Sequence, residues 1–149
     1  MTIRLYKETD KRQLIELLRL NTPAYFDPSE EQEFIEYLDN ESKNYFVVEE
    51  GNKILGCGGF NLLEGKEVVR ISWDIFHPDS QGKGLGSSLI EFRIEQITRI
   101  PEVKIIAVRT SQLAFKFYEK FGFKLKETIK DFWAKGFDLY NMELSLERQ

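Results

Sequence analysis

A glycine-rich segment in the middle of the chain constrains the fold more than any other feature. Residues 81–86 read QGKGLG and lie between residues 66–76, which have strand character, and residues 87–100, whose apolar positions recur at helical spacing. The backbone N–H groups at such a helix start are unpaired, and the helix dipole is positive there. Because glycine has no Cβ, the chain can approach an anion closely and adopt positive φ. The order strand, glycine loop and helix therefore predicts an α/β protein with a phosphate-binding turn.

The remaining patterns extend this unit into a longer order of elements. Alternating or apolar runs bounded by turn residues predict the strands, and apolar residues at helical spacing predict the helices. The second helix is predicted to begin at a capping box formed by Ser29 and Gln32. The predicted order is β-α-α-β-β-β-α-β-α-β-β, with strands at residues 2–7, 44–50, 53–63, 66–76, 103–109, 123–130 and 137–146, and helices at residues 8–21, 29–39, 87–100 and 111–121.

The size of the chain fits one domain. Its 149 residues contain no repeat, low-complexity tract or linker. An apolar fraction of 42% and a charged fraction of 31% are ordinary for a globular protein. We therefore expect residues 1–149 to form a single domain of the α/β (α+β) class. Its mixed central sheet should have about seven strands, flanked by about four helices.

Composition argues against several classes of function. A formal net charge of −4 disfavours a general nucleic-acid-binding role. Cys57 is the only cysteine and His77 the only histidine, so we expect no disulfide within the chain and no metal site. No signal peptide is apparent, nor any apolar run of the ~20 residues needed to span a bilayer. A cytoplasmic protein without a membrane partner is the expectation.

Glycines alone leave the phosphate ligand open. A Walker A loop needs Gly-Lys followed by Ser or Thr, whereas Lys83 is followed by Gly84. A dinucleotide loop needs Gly-x-Gly-x-x-Gly and an acidic residue at the end of the next strand. Here Gly82, Gly84 and Gly86 are evenly spaced, and the next predicted strand ends at Arg109. Both nucleotide interpretations are therefore disfavoured, and a glycine-rich turn without a ligand is the alternative at this point.

Two ordered motifs resemble the cofactor segments of a known family. Residues 81–86 fit Gln-x-x-Gly-x-Gly, which is similar to the acetyl-CoA signature of the GNAT superfamily of N-acetyltransferases. Residues 111–123, SQLAFKFYEKFGF, resemble that family's second cofactor segment, Asn-x-x-Ala-x-x-Phe-Tyr-x-x-x-Gly-Phe, with Ser111 in place of the usual Asn. The resemblance covers the chain from end to end, because the predicted order of elements is also the family's order.

The resemblance implies a GNAT-like acyl-CoA N-acyltransferase fold that uses acetyl-CoA as cosubstrate, without a metal. In that fold two strands separate to admit the pantetheine arm, whose amides pair with strand main chain. The N–H groups of the glycine loop then hold the pyrophosphate. The implied cofactor contacts are Ile75, Phe76, His77, Gln81, Gly82, Lys83, Gly84, Gly86, Ser87, Ser111 and Phe117.

Acyl transfer to an amine also needs a proton for the departing thiolate. Tyr118 matches the tyrosine that serves the family as general acid, and a phenol with a pKa near 10 is protonated at neutral pH. The alternative interpretation of Tyr118 is core packing beside Phe117 and Phe121. Cys57 lies in GCGGF and is interpreted as a small buried residue rather than as a nucleophile.

The general base is not identified by the sequence. Relatives that acetylate protein amino termini often carry a glutamate about twelve residues before the tyrosine, but residues 105–108 are all apolar. Asp74 and His77, around the end of the strand before the glycine loop, are the catalytic candidates. The alternatives are a solvated strand residue for Asp74 and a loop histidine that caps the Pro78 turn for His77.

An excess of acidic residues follows the first predicted helix. Such an excess attracts a cationic amine, although it is also typical of a solvated helix face. In the resembled family this region lines the acceptor site, so Tyr25 and Phe26 are candidate substrate contacts. An aromatic group near the closing strands, Trp133, Phe137 and Tyr140, fits an acceptor wall, the core or a homodimer contact. Residues 27–50 contain nine acidic residues and a single basic residue, Lys43. The acidic residues are Asp27, Glu30, Glu31, Glu33, Glu36, Asp39, Glu41, Glu49 and Glu50.

Two functional hypotheses of different classes follow. The first is an N-acetyltransferase that moves the acetyl group from acetyl-CoA to a primary amine by direct transfer in a ternary complex, with Tyr118 as acid. The second is a noncatalytic acyl-CoA-binding or sensing module on the same fold, motivated by the missing glutamate. Neither identifies the acceptor, and the exposed aromatic residues permit a homodimer or a monomer.

Overall fold

The computed structural model of the protein describes residues 1–80 and 82–147. Within them the predicted order of strands and helices is confirmed, with two short 3-10 turns added at Glu8–Asp10 and Pro78–Ser80. The strands are β1 (Thr2–Leu5), β2 (Tyr45–Glu50), β3 (Lys53–Leu62), β4 (Val68–Phe76), β5 (Ile105–Thr110), β6 (Lys124–Ala134) and β7 (Phe137–Ser145). The α-helices of the described residues are α1 (Lys11–Leu20), α2 (Glu30–Asn40), α3 (Leu85–Thr98) and α4 (Phe115–Glu119).

The strands form a seven-stranded mixed sheet with the order β1-β2-β3-β4-β5-β7-β6. β4 and β5 pair in parallel, from Val68 opposite Ile105 to Ile71 opposite Val108. The β1–β2, β2–β3, β5–β7 and β6–β7 pairs are antiparallel. A parallel pair needs a crossover between its strands, and α3 lies in the segment that connects β4 to β5. The expected fold class, a mixed sheet of seven strands with four helices, is confirmed.

The chain separates into two compact units. The first unit comprises Met1–Phe60 and Ser72–Glu95, and the second comprises Asn61–Ile71 and the described residues from Gln96 onward. The core of the first unit is built from the apolar faces of α1 and α2 against strands β2 to β4. Its buried members are Leu14, Leu17, Leu18, Phe34, Tyr37, Leu38, Tyr45, Val47, Ile54, Cys57 and Ile75.

The start of α2 differs from the predicted capping box. The N–H of Asp27 donates to the Glu30 carboxylate at 2.8 Å, and the N–H of Ser29 donates to the Asp27 carboxylate at 3.0 Å. Ser29 makes no side-chain cap bond to the helix. The side-chain bonds at this helix start are therefore made by Asp27 and Glu30, which have the same spacing as Ser29 and Gln32 and begin two residues earlier. The pair is not reciprocal, because the N–H of Glu30 bonds to the main-chain carbonyl of Asp27.

The second unit contains β5, β6, β7 and α4. Its buried side chains include Ile106 and Val108 on β5 and Met142 on β7. α4 is shorter than predicted, because residues 111–114 form a turn in which the Ser111 carbonyl accepts the N–H groups of Ala114 and Phe115 at 3.1 Å. β6 is longer than predicted, and its pairing with β7 is irregular between Ile129 and Ala134.

Candidate functional site

The glycine loop has the backbone conformation that a phosphate-binding turn requires. Gly82 and Gly84 have φ values of +81° and +75°, and a Cβ at either position would meet open space. α3 begins immediately afterwards at Leu85, and the N–H of Ser88 bonds to the Gly84 carbonyl at 3.0 Å. The N–H groups that precede Ser88 in this first turn therefore have no acceptor within α3. This start of α3 can accept an anion.

The side chains around this turn are arranged for access by a ligand. Lys83 is exposed, while Gly86 and Ser87 are half-buried in the first turn of α3. Gln81, also predicted to contact the cofactor, lies outside the described residues. The roles expected for these residues stay predictions.

The main chain at the end of β4 is already largely hydrogen-bonded. The Phe76 carbonyl accepts the side-chain amide of Asn21 at 2.9 Å. The N–H of His77 donates to the Leu55 carbonyl at 2.8 Å, and the His77 carbonyl accepts the N–H of Ser80 at 2.9 Å. An N–H group makes one good bond, whereas a carbonyl oxygen has two lone pairs. The His77 carbonyl also accepts the Ser80 hydroxyl at 2.6 Å, so both of its lone pairs are used. Any pairing of His77 with pantetheine would therefore first have to break one of these bonds.

His77 has the geometry of the loop-capping alternative. Its Nδ1 accepts the N–H of Asp79 at 3.1 Å, across the turn that Pro78 begins. An Nδ1 that accepts a hydrogen bond is unprotonated, so the ring proton resides on Nε2 in the neutral tautomer. Nδ1 is therefore an acceptor that is already in use, and Nε2 carries the proton. Proton abstraction by Nδ1 would first require its bond to the Asp79 N–H to break.

Asp74, the other base candidate, forms a buried ion pair that the sequence did not predict. Its Oδ2 accepts Nη2 of Arg93 at 2.9 Å, and Oδ1 accepts Nη1 of the same guanidinium. The Arg93 side chain is 0% exposed and that of Asp74 is 9% exposed. Arg93 also donates to the carbonyls of Gly59 at 3.1 Å and Leu89 at 3.3 Å. Both carboxylate oxygens are bound to this buried guanidinium, so Asp74 would have to accept a proton from within an ion pair. The catalytic role of Asp74 stays a prediction.

The same ion pair explains one glycine of the GCGGF segment. A Cβ on Gly58 would overlap Oδ1 of Asp74 and come within 2.8 Å of Nη1 of Arg93. The groups that approach the Gly58 backbone closely are therefore these two charged side chains. The sequence did contain one sign that Arg93 is buried. It lies at helical spacing from Leu89, Ile90 and Ile97, which are buried on α3.

Cys57 is a core residue. Its side chain is fully buried, and the Tyr45 hydroxyl lies 3.2 Å from its Sγ. Burial raises the pKa of the Cys57 thiol to about 12. The reactive thiolate is therefore scarce at neutral pH, which agrees with the buried interpretation rather than with an acyl-enzyme.

Tyr118 is buried on α4 among aromatic rings. Its ring lies 5.1 Å from that of Phe117 and 5.8 Å from that of Phe123, both edge to face. The Phe117 ring in turn lies 5.3 Å from Phe121. This packing is the arrangement of the core alternative, and it also fixes the orientation of the phenol. The catalytic role of Tyr118 stays a prediction.

The predicted acceptor residue Phe26 belongs to an aromatic cluster of the first unit. Its ring stacks on Trp73 at 6.1 Å, and Trp73 also lies 5.1 Å from Phe34. Trp73 has a φ of +49° within β4, and its carbonyl accepts the Tyr45 hydroxyl at 2.6 Å. A non-glycine residue in this region marks local strain that the surrounding packing must hold. The other predicted contact, Tyr25, is exposed beside this cluster in sequence.

The acidic segment is less available to a cation than its residue count suggests. Glu31 pairs with Arg19 at 2.7 Å, Asp39 with Lys11 at 2.6 Å, and Glu49 with Arg4 at 3.1 Å. Asp27 and Glu30 form the helix cap described above. At least these five of the nine acids already have partners, which weakens the predicted attraction for a cationic amine.

Two negative findings apply to the described part of the chain. None of its helices is both long and apolar enough to cross a membrane. Across residues 1–80 and 82–147, three or more His, Cys, Asp or Glu side chains do not gather into a group that could hold a metal ion.

Comparison with known proteins relates this geometry to a family. The model of the acetyltransferase (GNAT) family matches residues 12–123. An N-alpha-acetyltransferase of Sulfurisphaera tokodaii is 26% identical over 162 aligned positions, covering 97% of this chain and 92% of that protein. Two other curated relatives are longer, and the chain spans only 44% and 36% of their lengths.

Solved structures share the fold at low sequence identity. An aminoglycoside 6'-N-acetyltransferase complexed with coenzyme A has a TM-score of 0.82 at 15% identity, covering 100% of this chain and 99% of that one. YncA of Salmonella typhimurium with acetyl-CoA has a TM-score of 0.74 at 22% identity, covering 100% and 95%. These likenesses establish a common fold, and the family match spans both segments that resemble the family's cofactor motifs. The chain belongs to the acetyltransferase (GNAT) family.

Proposed function

We propose that the protein is an acetyl-CoA-dependent N-acetyltransferase that acetylates a primary amine by direct transfer in a ternary complex. The observation that carries the proposal is the positive-φ glycine turn at the start of α3, which lies within the region matched by the family model. Two proteins of the same fold contain coenzyme A or acetyl-CoA. Acetyl-CoA would supply an activated thioester as the acetyl donor.

The proposed cofactor roles are those that the family resemblance implies, and the geometry of the glycine turn supports them. The N–H groups at Gly82 to Ser87 would hold the pyrophosphate, with Lys83 adding one mobile positive charge. The main chain of Ile75, Phe76 and His77 would pair with the pantetheine amides, and His77 would give up a bond to Ser80 or Leu55 to do so. Ser111 and Phe117 would complete the contacts from the second motif. The open space at the loop glycines supports this assignment, because a ligand can reach the backbone there.

The chemistry requires a bond exchange and two proton movements. The neutral amine nitrogen attacks the thioester carbonyl, a C–N bond forms and the C–S bond breaks. Tyr118 would donate its phenolic proton to the departing thiolate. Because Asp74 is bound to Arg93 and His77 to the Asp79 N–H, we propose that the proton of the amine leaves to water rather than directly to either side chain.

The test is release of the coenzyme A thiol from acetyl-CoA in the presence of a panel of amines and peptides. The wild type and Tyr118→Phe are measured side by side, with Tyr6→Phe as a control that removes a phenol hydroxyl from the first unit. We expect amine-dependent release that falls at least about tenfold in Tyr118→Phe and is retained in Tyr6→Phe. Equal rates in all three proteins would refute the role of Tyr118.

A second candidate function is supported by the engaged base candidates and the missing glutamate. A noncatalytic acyl-CoA-binding module would bind acetyl-CoA equally well in wild type and Tyr118→Phe, and would release no thiol with any amine. Binding measured by calorimetry beside the release assay separates the two functions. Absence of acetyl-CoA binding would refute both.

A further inference from the structure

A buried side-chain amide lies in the turn that follows α1. Asn21 comes directly after the last residue of α1 and is 6% exposed. Its Nδ2 donates to the Leu17 carbonyl at 2.9 Å and to the Phe76 carbonyl at 2.9 Å. An amide NH2 group has two N–H donors, so both are engaged. One side chain therefore joins the end of α1 to the end of β4.

The main chain of Asn21 shapes the same turn. Its carbonyl accepts the N–H of Tyr25 at 2.8 Å and the N–H of Phe26 at 3.2 Å. The Phe26 ring stacks on Trp73, which lies three residues before Phe76 on β4. The turn therefore rests on β4 at two points, the hydrogen bond from Asn21 to Phe76 and the ring contact with Trp73. Tyr25 and Phe26 are the two residues that the family resemblance implies as acceptor contacts.

The bond from Asn21 ends on the segment that is proposed to bind acetyl-CoA. Phe76 is one of the proposed pantetheine residues, and the chain continues from it into the glycine turn. The His77 carbonyl accepts the N–H of Ser80 at 2.9 Å, and the Ser80 carbonyl accepts the N–H of Lys83 at 3.3 Å. These residues and the turn after α1 all belong to the first unit. Asn21 therefore links the candidate acceptor residues directly to the candidate cofactor segment.

Capping of a helix end does not by itself need the second bond. Asn40 at the end of α2 is exposed, and its Nδ2 donates to the Glu36 carbonyl at 3.0 Å, four residues earlier. Thr22 makes the corresponding bond from its hydroxyl to the Leu18 carbonyl at 2.8 Å. Such bonds satisfy carbonyls that a helix end leaves without a partner. Its burial and its bond to β4 distinguish Asn21 from these two caps.

We infer that Asn21 is a positioning residue for the acyl acceptor. By bridging α1 and the Phe76 carbonyl, it holds Tyr25 and Phe26 against the end of β4, beside the proposed path of the pantetheine arm. It acts through the turn rather than on the reacting atoms. The inference rests on the proposed transferase function, which it deepens by assigning the residue that sets the acceptor turn relative to the donor.

A threonine substitution separates bridging from capping. In Asn21→Thr the hydroxyl can donate to the carbonyl four residues earlier, as Thr22 does. A hydroxyl has a single O–H and is one bond shorter than the amide, so it cannot also reach β4. Asn21→Ser, without the β-branch, is a second variant of the same design. Asn40→Thr is the matched control, because it makes the same change at the exposed end of α2.

The first test follows the turn without turnover. Trp73 is half-buried and stacks with Phe26, and Trp133→Phe leaves it as the only tryptophan of the chain. Acrylamide quenching of its fluorescence is measured in this background, alone and combined with each substitution, and circular dichroism checks that every protein is folded. Because the turn is no longer tied to Phe76, the quenching constant should rise at least about twofold in Asn21→Thr and stay unchanged in Asn40→Thr.

The second test measures binding of the two substrates separately. Acetyl-CoA is titrated by calorimetry, and transfer is measured to tyramine, spermidine and L-alaninamide, which represent aromatic amines, polyamines and peptide amino termini. In Asn21→Thr we expect the affinity for acetyl-CoA to stay within about twofold, while the KM for the acetylated amine rises at least about fivefold, the equivalent of one hydrogen bond of about 1 kcal/mol. Asn40→Thr should match the wild type in both measurements.

Unchanged quenching in folded Asn21→Thr and Asn21→Ser would overturn the inference, since the turn would then stay on β4 without the bridge. Raised quenching with an unchanged KM for the amine, or with an equal loss of affinity for both substrates, would overturn the positioning role in favour of a structural one. Raised quenching with a selective rise in the KM for the amine would support it. Raised quenching without thiol release from any of the three amines would support the docking of the turn by Asn21 and count against the proposed function.

Discussion

Removing the Asp74 carboxylate should destabilise the protein strongly. Asp74→Ala removes both carboxylate acceptors of the Arg93 guanidinium, which is 0% exposed and also donates to the Gly59 and Leu89 carbonyls. Breaking a buried ion pair from one side costs about 3–5 kcal/mol, because an uncompensated charge stays buried. Solvent screening does not reduce this figure much, since neither partner is substantially exposed. The loss is a large share of the 5–15 kcal/mol typical of a domain.

Urea denaturation followed by circular dichroism measures the effect. With a slope of about 2 kcal/mol per molar urea, a loss of about 4 kcal/mol lowers the unfolding midpoint by about 2 M. The matched control is the double variant Asp74→Leu with Arg93→Met, which replaces both charges by apolar side chains of comparable size. We expect it to be more stable than either Asp74→Leu or Arg93→Met alone by about 2 kcal/mol or more.

Two results would refute the reasoning. A cost below about 1 kcal/mol for Asp74→Ala would mean that the pair is not desolvated, and strictly additive single and double variants would mean that the two side chains do not interact. A folded Asp74→Asn with unchanged stability but little activity would instead support the role of Asp74 as general base.

Three further predictions concern other features. Gly58→Ala should cost about 1–3 kcal/mol in thermal unfolding, because its Cβ overlaps the ion pair; an unchanged melting temperature would contradict this packing. Lys83→Ala should raise the KM for acetyl-CoA a few-fold at low salt, with kcat unchanged, and a KM independent of salt in both proteins would argue against a phosphate contact. Arg4 lowers the pKa of the Asp10 carboxyl below its usual 3.8, so this pair contributes stability above about pH 4 that is lost as pH falls further. Asp10→Asn should therefore flatten stability against pH below 4, and an acid transition identical to the wild type would exclude the contribution.

The order of elements was predictable because its signals are local. Helical spacing of Leu14, Leu17 and Leu18 and the glycines before α3 each depend on residues close in sequence. The predicted cap of α2 was wrong because the segment contains two overlapping pairs with the same spacing, Asp27 with Glu30 and Ser29 with Gln32. Only the folded turn shows that Asp27 and Glu30 are used.

The contacts of the candidate site were less predictable because they are nonlocal. Asp74 and Arg93 are separated by 19 positions, and their pairing depends on how β4 and α3 pack. The contact of the Arg109 guanidinium with the rings of Phe132 and Trp133 likewise joins β5 to an irregular part of β6. No periodicity in the sequence encodes that irregularity. Gly58 was the sign in the sequence of the contact between Asp74 and Arg93. A glycine indicates that another group approaches the backbone, but it does not identify that group.

The ion pair beneath Gly58 has a consequence for how this sequence can change over time. A side chain at position 58 costs stability while positions 74 and 93 are both charged, and neither charge can be lost alone without a large cost. Drift at these three sites is therefore coupled: descendants that keep one member should keep all three, and a lineage that abandons the set must pass through a weakened intermediate. Engineering that transplants α3 into a related scaffold would have to carry the glycine and the aspartate with it.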